Sequence, residues 1–278
     1  MCGRFVSARK RAELLAEFRV ERDRVTESLQ PDYNVAPTKP VYAVVTRGAH
    51  APGGSGAGDG QGGKGSQGGK DQQGKDRQEA RDVARELRVV RWGLVPSWAK
   101  DVSIGNRLIN ARVETVDSKP AFRRAFARRR CLLPADGFYE WQPVEKDGRT
   151  RKQPYYIHRA DGGLLAFAGL YEIWRDQSVP EDHPGAWLWT AVIITTRAED
   201  EVGRIHDRMP MIIEPERWDD WLDPGDNDPA RVRALLAPAA AGGLATYPVA
   251  TDVNAVRNNG PRLIEPEPGG EPAVDALF

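Results

Sequence analysis

Cys131-Leu132-Leu133-Pro134-Ala135-Asp136-Gly137-Phe138-Tyr139-Glu140-Trp141 is the stretch on which the reading of the fold turns. It contains two short strand-like runs, 131–133 and 137–141, rich in apolar and aromatic residues. Working outward, similar runs recur at 41–46 and 87–92 upstream and at 154–158, 164–170, 187–195, 211–213 and 246–249 downstream. Helical patterns are fewer. Ser7 is placed to cap a helix running to Phe18, with Leu14, Leu15 and Phe18 on one side. Residues 120–130 carry Phe122 and Phe126 at i, i+4 spacing, and 215–222 and 229–236 read as late helices. Many short strands with few helices between them predict an α+β fold with a mostly antiparallel, barrel-like β-sheet and flanking helices.

The chain has 278 residues, 40% of them hydrophobic, including eight Trp, enough for one large core. A single domain is expected over 1–265. It is interrupted at about 48–81 by a Gly-rich segment with almost no large apolar residue, which reads as a disordered insertion between two strands. Residues 266–278 read as a flexible tail. No internal repeat, GxGxxG or P-loop is visible.

Lys+Arg and Asp+Glu balance at 40 each, so no global field attracts nucleic acid, and any such site must be a local patch. The two cysteines, Cys2 and Cys131, do not make a disulfide scaffold. With no Cys-x-x-Cys and four scattered His, no metal site is expected, nor any organic cofactor. The N-terminal residues lack the apolar stretch of a signal peptide, and no run of about 18 apolar residues occurs. A cytoplasmic protein with no membrane contact is the expectation.

Chemistry begins at Met1-Cys2-Gly3-Arg4. Removal of Met before a small residue would expose an α-amine and a thiol on adjacent carbons. An α-amine has a pKa of about 7.7–8.0, so a useful fraction is free base at neutral pH, far more than for lysine. Such an amine forms a Schiff base with an aldehyde, and the thiol then closes a five-membered thiazolidine. Position alone leaves Cys2 open between this role and that of a small buried residue. Asn110 and Arg112 suit a sugar or attacking group and a phosphate, or else a turn and a surface charge. Glu140 lies among aromatics, where a carboxyl with raised pKa can act as general acid or base, though strand alternation can equally point it to water. His206 beside Asp207 is the best placed of the four histidines for proton transfer. The run 119–130, KPAFRRAFARRR, is strongly basic and is expected to form part of a DNA cleft, or else a solvated helix face. Trp92, Trp98 and Trp141 offer either stacking faces for bases or core packing.

Six motifs occur in order: MCGRF at residues 1–5, YNVAP at 33–37, WGLVP at 92–96, NARVET at 110–115, CLLPADGFYEW at 131–141 and HDRMP at 206–210. Together they resemble the SOS-response-associated peptidase (SRAP) family of HMCES/YedK-like proteins. That resemblance implies a single α+β domain with a barrel-like sheet and a positively charged DNA cleft. It implies binding of single-stranded DNA and covalent crosslinking of abasic sites, with weak lyase activity where an imine fails to close. It carries catalytic roles to Cys2, Asn110, Glu140 and His206. It carries DNA contacts to Arg4, Asn34, Trp92, Arg112, Trp141, Thr195 and Arg208. The implied partner is single-stranded DNA containing abasic sites, and in a bacterium the protein would be nucleoid-associated. The Gly-rich insertion is longer than the family pattern leads one to expect. The Ala276-Leu277-Phe278 end faintly resembles a sliding-clamp-binding peptide whose upstream residues do not match. Two other classes stay open: an N-terminal-nucleophile cysteine peptidase built on Cys2 and His206, and a noncatalytic reader of modified or single-stranded DNA.

Overall fold

The computed structural model describes residues 2–48, 83–146, 148–198, 200–237 and 242–268. The readings made on the Gly-rich insertion and on the Leu-Phe end lie outside the described residues.

Five long apolar strands close a barrel. Strand β4 (Pro40–Gly48) pairs antiparallel with β5 (Val83–Trp92) along its whole length, from Pro40↔Arg91 to Gly48↔Val83. On its other edge β4 meets β7 (Arg130–Ala135), which pairs with β10 (Leu165–Arg175), which pairs with β11 (Trp187–Arg197). β11 then runs parallel to β5 at Thr190↔Arg91 and Ala191↔Trp92, and the ring is complete. Parallel pairing at the closure explains why the sheet is mostly, and not wholly, antiparallel.

Most of these strands read as apolar runs because both of their faces are covered, while β5 carries Arg85, Glu86 and Arg88 among its apolar residues. Val41, Ala43, Val45, Val90, Trp92, Cys131, Leu133, Phe167, Ala191 and Ile193 point into the barrel. The alternate residues Tyr42, Val44, Leu87, Leu132, Ala168, Leu170, Val192 and Ile194 point outward under the helices. Helix α1 (Arg11–Glu17) brings Leu14 and Phe18 to this outer layer, and α2 (Arg123–Arg128) brings Phe126. Helix α4 (Trp218–Leu222) adds Trp218 and Trp221. Phe18 stacks on Trp218 at 4.6 Å between centroids.

A second sheet, in the order β13 (Leu244–Pro248), β9 (Arg149–Arg159), β8 (Gly137–Lys146), β1 (Phe5–Ser7), β3 (Asp32–Val35), lies against one end of the barrel. Phe5, Val35, Phe138 and Ile157 from this sheet join the barrel's interior cluster. Short strands β6 (Asn110–Arg112) and β12 (Arg208–Pro210) add to β11 at the same end, parallel and antiparallel respectively. Strand β2 (Arg22–Asp23) flanks β5. Helix α3 (Asp200–Ile205) follows β11, and α5 (Pro229–Ala234), capped by the Asp228 carboxylate on the Ala230 amide at 2.9 Å, follows α4.

Several boundaries depart from expectation. Ser7 caps no helix: it ends β1, and α1 starts four residues later, where the Glu13 carboxylate accepts the Lys10 amide at 2.9 Å. The expected helix at 120–130 shrinks to α2, because 120–122 form a turn. Residues 211–213 make only a single bridge, Phe167↔Ile212, and the strand lies just before them as β12. Pro266 pairs with Val249, and the Glu267 amide donates to the Pro248 carbonyl at 2.9 Å, so ordered chain continues past 265.

A candidate active site around Cys2

Cys2 sits just before β1, and the pairing of that strand decides its neighbours. Phe5 faces Phe138 across β8, and the Tyr139 amide donates to the Arg4 carbonyl at 3.0 Å. Continuing that antiparallel register carries Cys2 to the part of β8 that holds Glu140. On the other side Asn110, the first residue of β6, donates its Nδ2 to the Cys2 carbonyl at 2.7 Å. The Cys2 side chain is fully buried and its thiol reaches the Arg4 carbonyl at 3.9 Å. Burial pushes the thiol well above its ordinary range, and the neighbouring Glu140 charge pushes it further.

Glu140 is 2% exposed. Burial lifts its carboxyl to about 7 against the opposing pull of the chain's terminal amine, with Asp207 adding a little to the rise. A group that titrates there gives and takes protons at neutral pH. Asn110 Oδ1 is buried with no hydrogen-bond partner among the described residues. A buried carbonyl left open costs about 1–3 kcal/mol, and it is free to accept a hydrogen bond from a ligand.

His206 and Asp207 reach this side through α3, which packs on β8 and is tied by Gln142 Nε2 donating to the Arg204 carbonyl at 3.0 Å. The His206 Nδ1 lies 3.0 Å from both the Arg208 amide and Asp207 Oδ1. These two contacts need different protonation states. Burial lowers the His206 pKa, so the neutral ring prevails near pH 7. In the tautomer with its proton on Nε2, Nδ1 accepts the Arg208 N–H.

Around this centre the charged residues divide into fixed and free. Arg4 is held by Asn34 Oδ1 at 2.6 Å and the Val253 carbonyl at 2.8 Å, and its guanidinium lies 5.8 Å from the Trp141 ring centre. Asn34 is fully buried and donates its amide to the carbonyls of Val253, Ala255 and Asn258, so it clamps the loop that holds Arg4. Arg208 is buried, gripping Glu114 with both terminal nitrogens at 2.6 and 3.1 Å and donating to the Thr195 carbonyl at 2.6 Å. Thr195 is also fully buried, its hydroxyl 3.5 Å from the Ala111 carbonyl. The two residues weld β12, β11 and β6 together beneath Asn110. Arg112, on the outward side of β6, is exposed.

The tryptophans divide the same way. Trp92 has no exposed surface: its Nε1 donates to the Ile109 carbonyl at 3.0 Å and its ring meets Phe5 edge-on at 5.1 Å, leaving no face for a base. Trp141 is partly exposed and donates to Asn254 Oδ1 at 2.7 Å. Trp98, in the segment leading to Asn110, is 58% exposed. The structure thus joins Cys2, Asn110, Glu140, Arg4 and Asn34 directly. His206 comes in through α3, and Arg112, Thr195 and Arg208 through the β6–β11–β12 corner. Sequence reasoning gave no role to Asn254 or to the Val253 carbonyl, and no local signal marks them. Their partners stand more than 100 residues away.

Among the described residues no group of three or more His, Cys, Asp or Glu is arranged to hold a metal ion, and no helix is long and apolar enough to cross a membrane.

Comparison with known proteins matches this arrangement to a family. The family model described as SOS response associated peptidase (SRAP) matches residues 1–256. Abasic site processing protein YoqW of Bacillus subtilis (strain 168) is 36% identical over 265 residues, covering 95% of this chain and 99% of that protein. Abasic site processing protein HMCES of Gallus gallus is 35% identical over 211 residues, 68% of this chain and 60% of its own length. A crystal structure of a protein from Bacteroides thetaiotaomicron shares the fold, with a TM-score of 0.70 at 24% identity, covering 96% of this chain and 100% of that one. With the motifs running in order through one barrel and the match extending over nearly the whole chain, this protein belongs to the SOS response associated peptidase (SRAP) family.

Proposed function

We propose that the protein processes abasic sites in single-stranded DNA by covalent capture on Cys2 after loss of Met1. The observation that carries this reading is Glu140, a carboxyl lifted to about 7 by burial and close enough to act on the Cys2 thiol electrostatically, while Asn110 pins the Cys2 carbonyl at 2.7 Å. The names of the full-length relatives point the same way.

The ring-opened abasic sugar presents an aldehyde. The Cys2 amine adds to its carbon, giving a carbinolamine. Glu140, protonated in part at pH 7, gives a proton to the departing hydroxyl, and water leaves as the iminium forms. The Cys2 sulfur then adds to the same carbon and its proton passes to the Glu140 carboxylate, closing the thiazolidine. Amine, thiol and aldehyde are thereby converted to one ring plus one water. His206, neutral with its proton on Nε2, assists opening of the sugar ring. Asn110 Oδ1 accepts a sugar hydroxyl. An iminium that fails to close can instead lose the 3′ phosphate by β-elimination, which gives weak lyase activity. Arg112 grips a phosphate, Arg4 presents its fixed guanidinium to the strand, and Trp141 and Trp98 offer rings to bases. Asn34, Thr195, Arg208 and Trp92 act from beneath, by holding Arg4, β6 and β1 in place.

The peptidase reading calls for a thiolate nucleophile. Burial and Glu140 both hold the Cys2 thiol protonated, which favours attack by the amine first. Intact mass spectrometry before and after incubation with abasic single-stranded DNA tests the choice. The expected result is a chain lacking Met1 that gains the mass of the DNA less one water, and gains nothing as Cys2→Ala. A chain lacking Met1 that forms no adduct, or one that cleaves peptides in trans, would overturn the proposal.

A further inference from the structure

The basic run at 119–130 is not part of the wall around Cys2. Strand β7 separates them. Cys131 and Leu133 point into the barrel with Cys2, while Leu132 points outward, into the cluster that holds Phe122, Ala125 and Phe126. Helix α2 therefore lies on the outside of the barrel, and its own outer side carries Arg123, Arg124 and Arg128, all exposed, with exposed Lys119 leading into it.

The charge there is only partly balanced. Glu172 feels Arg124 but is bound by Arg129 at 2.6 Å, and Asp226 and Asp117 pair with Arg231 at 3.4 Å and with Arg233. Arg123 and Arg128 make no ion pair among the described residues. Nor are these arginines needed to finish the helix. The carbonyls of Phe126 and Ala127 accept from the buried Arg130, which also spans to the Trp221 and Asp226 carbonyls and lies over the Trp221 ring. Arg124 and Arg128 stand one helical turn apart, an arrangement of like charges that costs an isolated helix about 0.2–0.5 kcal/mol. Between them the small Ala127 leaves a hollow of about 260 Å³, lined by Arg124, Ala127, Arg128 and Arg129. The hollow itself is lined chiefly by apolar surface, and it is the exposed guanidinium groups beside it that suit phosphate oxygens, which they bind through paired N–H donors.

We propose that the outer face of α2 is a second contact for the phosphate backbone of nucleic acid, separate from the Cys2 site and indifferent to damage or sequence. This inference rests on the reading of the protein as DNA-binding. It assigns the surface the task of holding strand that has already passed the reaction centre, so that affinity grows with the length of DNA.

The test uses undamaged single-stranded DNA of about 8 nucleotides, enough for one groove, and of about 40 nucleotides. The full chain is compared with the Arg124→Glu/Arg128→Glu variant and, should that one be less stable, with Arg124→Gln/Arg128→Gln. The expected outcome is an affinity for the long strand lowered about 10-fold or more. The slope of log affinity against log salt should shrink by roughly 1.4, the loss of two phosphate contacts. Affinity for the short strand and adduct formation on saturating abasic DNA stay unchanged. Equal affinities and slopes on the long strand would overturn the second contact alone. A matching loss on the short strand would overturn its separateness, because α2 would then belong to the first groove. Polyglutamate displacing the long strand as well as competitor DNA of equal charge would overturn the nucleic-acid assignment in favour of an acidic protein. Wild-type protein that binds neither strand would sink the DNA reading itself, and this inference with it.

Discussion

The protein has two cysteines, and burial does not distinguish them. Cys2 and Cys131 are both free, both fully buried and both packed into the interior of the same barrel. Burial raises both thiols far above their ordinary range. What surrounds them differs. Cys131 is the second residue of β7, against Gly169, where even a methyl on the glycine would come within 2.8 Å of its sulfur, and its shift has burial as its sole cause. Cys2 lies at the edge of the interior, with Glu140 acting on its thiol and the Asn110 amide on its carbonyl. Reactivity on this reading comes from the α-amine that one position can expose and from the carboxyl beside it, and not from the thiol's own acidity.

The largest effect therefore belongs to a pair of substitutions. Cys2→Ala should abolish the stable adduct with abasic DNA, while borohydride still traps an imine on the remaining terminal amine. Cys131→Ala should leave the adduct rate unchanged and cost only stability, about 1 kcal/mol for the lost buried atoms and the space they leave. Denaturing gels of both variants with and without borohydride read the contrast. An adduct of normal yield in Cys2→Ala would break it.

Glu140→Gln sharpens the comparison by removing the neighbour and keeping the cysteine. Crosslinking should slow about 100-fold, the usual worth of one positioned acid–base group, with DNA affinity retained. Stability should move the other way. The folded-state carboxyl titrates at about 7 against an ordinary 4.5, so its ionisation opposes folding. That cost is absent below about pH 4.5, grows between there and about 7, and is complete above. Glutamine does not ionise. The variant should match the wild type near pH 4.5 and exceed it at pH 8 by up to about 3 kcal/mol. Thermal unfolding at the two pH values measures the difference, and a variant destabilised equally at both would make Glu140 a structural residue.

This dependence on surroundings also sets what the sequence could tell. Most long barrel strands were legible because they are apolar runs bounded by polar turns, though the charged start of β5 hid its residues 83–86, and the runs at 131–133 and 137–141 fall inside β7 and β8. Strands β1, β3, β6 and β12 are only three or four residues long, too short for alternation to register. The candidate residues Cys2, Asn110 and Glu140 were singled out by type and motif. Their burial, which gives Glu140 its value, was not legible, because it depends on β1 threading between β8 and β3. Arg208 reads as a free cation until Glu114, 94 positions away, is found gripping it. Asn34, carried over by the resemblance as a DNA contact, is buried with its amide on carbonyls 219 to 224 positions off.

The smallest expected effect carries the same contrast to a second residue type. Trp92 and Trp98 lie six positions apart in one motif-bearing segment, and the sequence does not separate them. The fold buries Trp92 entirely and leaves Trp98 58% exposed. Trp98→Ala should therefore leave the unfolding midpoint nearly unmoved and weaken single-stranded DNA binding by about 1 kcal/mol, roughly 5-fold, the low end of what one stacked base contributes. Trp92→Phe should do the reverse. Its Nε1 bond to the Ile109 carbonyl is lost, at a cost of about 1 kcal/mol to folding and nothing to affinity. Ile109 immediately precedes Asn110, so some slowing of crosslinking should accompany Trp92→Phe as β6 loosens over the site. Fluorescence-anisotropy titrations beside thermal melts separate the two tryptophans. If Trp98→Ala binds DNA as well as the wild type, Trp98 does not hold a base despite its exposure, and Trp141 is left as the ring that does.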